Sequence, residues 1–226
     1  MWGGDARRNR REGGGRVVGE GDRYYSNARP EMARFIHGRP SRILEIGCAG
    51  GCFRSNIFWP CEYWGGEPVP DVAARASQTL SRVLTGTYEA VAAELPEGYF
   101  DLIVCNDVIE HMLDPDAFLR SVRTRLNPQG QLVGSVPNVR YLLNLINLLI
   151  MKEWRYEAGG VLDATHLRFF TMKSLARLLR ETGFRIERLQ PVGPDRYLRL
   201  KRCLEIVAWW MGTDVLYAQM GFRCRI

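Results

Sequence analysis

The sequence predicts an α/β fold, a mostly parallel sheet covered by helices, and three observations carry that prediction. Ile43, Leu44 and Ile46 form a short apolar run without alternation, the pattern of a strand buried on both faces. Similar runs at Phe100 to Cys105 and Gln131 to Val136 alternate with helical stripes, Phe118-Val122-Leu126 between them and Leu175-Leu178-Leu179 after the second. The first run then breaks into Gly47-Cys48-Ala49-Gly50-Gly51, where small residues let backbone N–H groups approach a ligand closely. At 226 residues, one domain with a full core is expected.

The first 23 residues combine glycine and arginine with almost no apolar content, which predicts a disordered basic arm over 1–23 and an ordered domain over 24–226. The arm lacks the apolar centre of a signal peptide, and no run reaches the roughly 18 apolar residues of a membrane span. The balance of 31 basic against 25 acidic residues gives a net charge of +6, mild for a nucleic-acid binder. Six cysteines lack paired C-x-x-C spacing, so neither a zinc site nor a disulfide framework is predicted, and reduced thiols in the cytoplasm are expected.

Glu31 to His37 reads as a short helix with Met32, Phe35 and Ile36 on one face, closed by Gly38. After the glycine turn a second strand-like run, Tyr63-Trp64-Gly65-Gly66, ends at Glu67, twenty residues past Gly47, where an acid would reach ribose hydroxyls. Asp71 is the expected cap of a helix through Leu80, and Arg82-Val83-Leu84 the third strand. The strand Phe100 to Cys105 leads into Asn106-Asp107-Val108-Ile109-Glu110-His111-Met112-Leu113-Asp114-Pro115. Asp114 or Asp116 caps the next helix, and Asn127-Pro128-Gln129-Gly130 ends it. Pro137 stops the fifth strand and places Asn138 near the mouth of the site. Val139 to Trp154 reads as an inserted helix, apolar over more than one face, that covers an acceptor pocket or a partner; a membrane-surface helix ranks second because basic residues are sparse. Thr171 caps a helix through Thr182, Phe184-Arg185-Ile186 begins a sixth strand, a helix spans Arg196 to Met211, and Val215 to Phe222 is the last strand.

The glycine turn does not fit the dinucleotide fingerprint, whose three glycine positions hold Gly47, Ala49 and Cys52, and no Gly-Lys-Ser/Thr follows to make a P-loop. A strand with Glu45 near its end, followed by a G-x-G-x-G-like turn with Ala49 at the middle position, resembles the first motif of class I S-adenosylmethionine-dependent methyltransferases. The string F-D-x-I-V with D-V-x-E-H-x-x-D-P resembles their fourth motif and is far more specific. G-x-L-D-x-T-H-L-R-F-F-T, over Gly160 to Thr171, resembles a bacterial subgroup found with cell-surface polysaccharide and secondary-metabolite pathways.

The resemblance implies a Rossmann-like seven-stranded sheet with helices on both faces, an antiparallel last strand and a helical lid insertion over about 139–170. It implies S-adenosylmethionine as cofactor and S-adenosylhomocysteine as product. Glu45, Gly47, Cys48, Ala49, Gly51 and Glu67 become candidates for the adenosine side, and Asn106, Asp107 and His111 for the methionine side. Tyr25 and Arg29 precede the first strand, where related enzymes fold over the cofactor; packing is the alternative. An acidic residue expected beside the adenine is missing near Thr87, with Glu89 a weak substitute.

A hydroxyl acceptor must lose a proton, which favours a nearby histidine or carboxylate. His166, His111 and Asp163 are therefore the catalytic candidates, with loop-fixing hydrogen bonds as the competing role. No carboxylate cluster suited to a divalent metal is legible, and no metal is predicted. The expected activity is O-methylation of a small metabolite or a sugar-containing, cell-surface glycan precursor. A scaffold protein that keeps the fold without turnover is one alternative. A nucleic-acid methyltransferase is another, although no N-P-P-Y-type motif follows Asn106 and no nucleic-acid partner is expected.

Overall fold

A computed structural model describes residues 27–193 and 211–226. The predicted arm, Tyr25, and all of the expected helix before Met211 lie outside the described residues.

Seven strands form one sheet in the order β3-β2-β1-β4-β5-β7-β6. They are β1 (Arg42–Ile46), β2 (Glu62–Glu67), β3 (Arg82–Thr85), β4 (Phe100–Asn106), β5 (Leu126–Pro137), β6 (Arg185–Val192) and β7 (Gln219–Arg225). β1 to β5 pair in parallel, and β7 runs antiparallel between β5 and β6. The order reverses between β1 and β4, and in open α/β sheets ligands bind beyond the strand ends at such a reversal.

The central strands are buried on both faces, as their unalternating sequences require. Leu44, Ile46, Ile103 and Cys105 pack on one side with Phe118, Leu119 and Val122 of helix α4 (Pro115–Arg125) and Leu175 and Leu179 of α6 (Met172–Glu181). Ile43, Leu102, Val104 and Val133 pack on the other with Met32, Phe35, Phe53 and Tyr63. At Gly134 a Cβ would stand 2.3 Å from the Cys105 carbonyl oxygen and 2.7 Å from Phe222, so only glycine fits between β4 and β7.

Helix ends follow local chemistry. Asp114 accepts the Ala117 N–H at 2.9 Å and caps α4 as expected; Thr171 and Ser174 form a capping box on α6. Helix α2 differs from expectation: it spans Pro70–Ala76 with Val69, not Asp71, at the cap. Pro70 presets the first turn, and Ser77 and Thr79 bond back to Ala74 and Ala76, drawing the chain out of the helix before Leu80. The first helix is a single turn, α1 (Pro30–Ala33), yet Met32 and Phe35 are buried as predicted. A short helix, α3 (Tyr88–Val91), follows β3. Val215 belongs to a 3-10 turn, Thr213–Leu216, and β7 begins only at Gln219.

The expected long helix after β5 is confined to α5 (Leu142–Leu149), with Lys152 at φ 56 in the turns that follow. Its orientation reverses simple amphipathic logic. Asn144 is buried, whereas Leu148, Leu149, Ile150 and Met151 are exposed. Among the described residues, no helix is long and apolar enough to cross a membrane.

Candidate active site

A cavity of about 1160 Å³ opens at the carboxyl ends of β1, β2 and β4. Ligand pockets commonly enclose about 300–1,000 Å³, so this one has room for two reactants.

The glycine turn shapes one wall. Gly47 and Cys48 donate their backbone N–H groups to the Gly66 carbonyl at 2.8 and 3.1 Å, stitching the turn to β2. Gly47 (φ 70) and Ala49 (φ 47) are both left-handed; a side chain there costs about 1–2 kcal/mol, which Ala49 bears and Gly47 avoids. Glu67 fixes the turn from β2: its two carboxylate oxygens accept the Ala49 and Val69 N–H groups, each at 3.0 Å. Burial nonetheless raises the Glu67 carboxyl above its ordinary pKa.

Glu45 and Cys48 sit lower. Glu45 is buried and accepts the Tyr63 hydroxyl at 2.8 Å; desolvation pushes its pKa up to about 8. Cys48 packs so tightly on β2 that a Cβ at Gly65 would lie 2.5 Å from its sulfur, and burial pushes its thiol pKa up. Both border the cavity floor. Gly51 does not line the cavity; it starts a 3-10 turn, and a Cβ there would meet Thr79 at 2.9 Å.

At the end of β4, Asn106 is the residue most in need of a ligand. Both its side-chain nitrogen and oxygen are buried without a hydrogen-bond partner among the described residues, and the residue faces the cavity. Such orphaned groups are rare and point to a missing bound molecule. Asp107 is instead fully engaged. It pairs with Arg29 and accepts Ser135 Oγ at 2.9 Å and Gln219 Nε2 at 3.1 Å. Arg29, left-handed at φ 49, also reaches Glu31 at 2.7 Å and Ser135 at 3.0 Å. This network sets the Arg29 guanidinium, paired with Asp107 and Glu31, at the cavity's edge.

The third wall joins β4 to the segment before α6. Leu167 and Arg168 donate their backbone N–H groups to the Glu110 carbonyl at 2.9 and 3.0 Å, and Arg168 reaches the Leu113 carbonyl at 2.5 Å. The motif at Asp163 to Arg168 is thereby docked on the motif at Asp107 to Leu113. His111 and His166 stack edge to face with centroids 4.9 Å apart. Glu110 is 0% exposed, and neither carboxylate oxygen has a hydrogen-bond partner among the described residues. Burial, reinforced by Asp107, pushes its pKa well above the ordinary carboxylate range. Burial likewise lowers the His111 pKa. Asp163 is pulled toward a different job: Thr165 donates both its N–H and its hydroxyl to Oδ1, at 2.8 and 2.6 Å. Burial opposes its charge, but those bonds and the two histidines outweigh it and lower the Asp163 pKa.

Asn138, expected at the mouth, is fully buried and donates to the Asp214 and Tyr217 carbonyls at 2.8 and 3.1 Å, tying β5 to the approach of β7. Of the insertion after β5, Gly160, Asp163, His166 and Leu167 line the cavity, and α5 stands outside it. Several wall residues had no sequence signal. Leu84, Tyr88, Val91 and Phe118 form an apolar slot beside Thr87, the place where an acidic adenine contact is missing. Gln219 arrives from 112 residues beyond Asp107.

Comparisons with known proteins agree with this geometry. A ubiquinone biosynthesis O-methyltransferase from Ruegeria pomeroyi is 29% identical over 188 residues, covering 78% of this chain and 68% of that protein. One from Chromobacterium violaceum is 25% identical over 172 residues, covering 70% and 71%. A crystal structure of a SAM-dependent methyltransferase from Archaeoglobus fulgidus superposes with a TM-score of 0.61, covering 91% of this chain and 97% of that one; at 17% identity it speaks for the fold. The profile of the methyltransferase domain family matches residues 20–189, most of the chain. The protein therefore belongs to the methyltransferase domain family and is a class I enzyme that uses S-adenosylmethionine.

Proposed function

We propose that this enzyme methylates a hydroxyl oxygen of a small metabolite or of a sugar-containing, cell-surface glycan precursor. The observation that carries the reading is the Glu110–His111–His166 cluster, which faces the same cavity as the glycine turn and the orphaned Asn106. Deprotonating an acceptor needs such groups opposite the cofactor side, and the names of the relatives as O-methyltransferases support the same chemistry. The Gly160 to Thr171 motif supports the glycan-precursor choice through its resemblance to the cell-surface subgroup.

S-adenosylmethionine supplies a methyl group on a positively charged sulfur. Glu67 and the turn from Gly47 to Ala49 would hold the ribose end, and the slot at Leu84, Tyr88 and Phe118 the adenine. Asn106 and the Arg29 guanidinium would hold the amino-acid end. The chain contributes mainly alignment, an effect worth roughly 7–11 kcal/mol in well-oriented reactions. The histidine cluster receives the acceptor hydroxyl and governs the loss of its proton. We also place the enzyme in the cytoplasm, supported by cysteines 48, 61, 105 and 224, which form no disulfide.

The test is a methyl-transfer screen over hydroxylated metabolites and nucleotide sugars, read by S-adenosylhomocysteine release and by mass gain on the acceptor. Oxygen-linked methyl on one of these acceptors is the expected outcome. Transfer to nitrogen or carbon only, or to nucleic acid only, would overturn the reading. A form lacking residues 1–23 that keeps small-acceptor activity would remove the support the basic arm lends to nucleic acid.

A further inference from the structure

We propose that Glu110, His111 and His166 form a binding site for one divalent ion of the zinc, iron(II) or manganese class, placed where the methyl acceptor enters. The inference rests on the O-methyltransferase reading for the ion's purpose, but the site itself stands on geometry.

One ligand atom from each residue lies within 4.8 Å of the others. The orientation of both rings favours a metal over a simple hydrogen-bonded pair. His111 Nδ1 lies 3.1 Å from the Thr165 carbonyl, and His166 Nδ1 lies 3.1 Å from the Val161 carbonyl. A carbonyl can only accept, so each Nδ1 carries a proton, and in the neutral ring each Nε2 keeps its lone pair. Metal-binding histidines are held in this way, with the remote nitrogen donating to a backbone carbonyl and the other free for the ion.

The carboxylate is the second, independent observation. Glu110 is wholly buried, and its two oxygens have no partner among the described residues. His166 Nε2 stands 4.0 Å from Glu110 Oε1, beyond a hydrogen bond and close to the spacing of two ligands across one ion. Around a tetrahedral zinc with bonds of about 2.0–2.2 Å, neighbouring ligand atoms are about 3.3 Å apart, so only a modest inward closing of the three groups is required. Two imidazoles and one carboxylate suit the borderline transition ions better than magnesium or calcium, which prefer oxygen.

Three protein ligands leave at least one coordination position, and all three residues line the cavity. The acceptor's hydroxyl oxygen would take that position. Its O–H bond breaks as the oxygen–metal bond strengthens, and the proton passes to water. The class of acceptor follows: an alcohol or phenol, best with a second oxygen on the adjacent carbon to complete the ion's coordination.

The experiment uses the full chain, freed of any histidine tag and stripped with a chelator. Zinc is added and binding measured by competition against a chromophoric chelator, and cobalt(II) is added separately as a spectroscopic probe. One equivalent should bind, with visible cobalt bands typical of nitrogen and oxygen ligands. Glu110→Gln, isosteric with the native residue, and His166→Ala should each weaken zinc binding by about tenfold or more, the scale seen when groups supporting a metal are lost. S-adenosylmethionine affinity, measured in the same samples, should not change. Absence of zinc binding, or binding equally strong in Glu110→Gln, would overturn the metal site, the latter by assigning the ion to the cysteines or another adventitious position. If S-adenosylmethionine binds while zinc does not, the metal inference fails alone and the methyltransferase reading stands. If the stripped protein transfers methyl at full rate with the ion absent, the site has no part in the reaction and the proposed purpose is wrong.

Discussion

The Glu67 carboxylate accepts the Ala49 backbone N–H at 3.0 Å, so one acidic side chain at the end of β2 also holds the turn after β1. Glu67→Ala should therefore weaken S-adenosylmethionine binding by more than about tenfold, since a hydrogen bond to a charged group is worth about 1.5–3 kcal/mol and tenfold is about 1.4. Isothermal titration checks it, with circular dichroism confirming the fold. Near-native affinity would move the ribose contact elsewhere.

Asn106 offers a contrast, because no described residue satisfies its side chain. Asn106→Ala should leave the melting temperature almost untouched and cost about tenfold in cofactor affinity, the loss of a hydrogen bond to the charged amino-acid end. A large drop in stability with unchanged affinity would show that the side chain serves the fold.

His166→Ala should lower turnover by about 100-fold or more, the scale of a lost group that assists proton removal, while leaving cofactor affinity within about twofold. Simultaneous loss of both would mark the segment from Asp163 to Arg168 as structural. Unchanged turnover with the true acceptor would remove His166 from the chemistry.

Glu45 makes stability depend on pH. Its folded pKa, about 8, lies above the ordinary value of 4.5, so between those values the folded state binds more protons than the unfolded one. Stability from this group is full below the lower value and is lost as pH rises through the window, by at most about 1.4 kcal/mol per pH unit. Glu45→Gln keeps an oxygen for the Tyr63 hydroxyl and cannot ionise. Its melting temperature should gain on the wild type steadily from pH 5 to about 8; parallel curves would contradict the assignment.

Gly134→Ala tests the packing of the sheet. A Cβ 2.3 Å from the Cys105 carbonyl must push two central strands apart. Overpacking of this kind costs about 1–3 kcal/mol, and here the obstacle is backbone, so chemical denaturation should show a loss at the upper end. A loss below about 0.5 kcal/mol would mean that β4 and β5 adjust freely.

The elements legible in the sequence were those whose residues answer to local rules. β1 and β4 declare burial on both faces by unbroken apolar runs, Asp114 and Thr171 declare caps, and Glu67 declares its place by distance from Gly47. The remainder depends on partners that local patterns do not reveal. Asp71 looks like a cap, but the helix begins at Pro70 with Val69 as its cap, two residues earlier. Asn144 looks like the polar face of α5, yet it is the residue turned inward, near the Val139 carbonyl. Asp107 reads as free to meet a ligand until Arg29, Ser135 and Gln219 arrive from three other parts of the chain. The meeting of Glu110 with His166 depends on the chain between them folding so that Leu167 and Arg168 hang from the Glu110 carbonyl. Neither motif alone contains that information.

The placement of β4 between β1 and β5, with no room for a methyl group at Gly134, also sets a clock. Amide hydrogens of Val104, Cys105 and Gly134 have no local route to solvent and should exchange for deuterium only when the whole molecule opens. Those of Ala158 and Gly159, in a bend outside the sheet, should exchange almost at once. Ligand-induced protection at the turn from Gly47 to Ala49 can thus be timed against an internal standard of both extremes in a single labelling series.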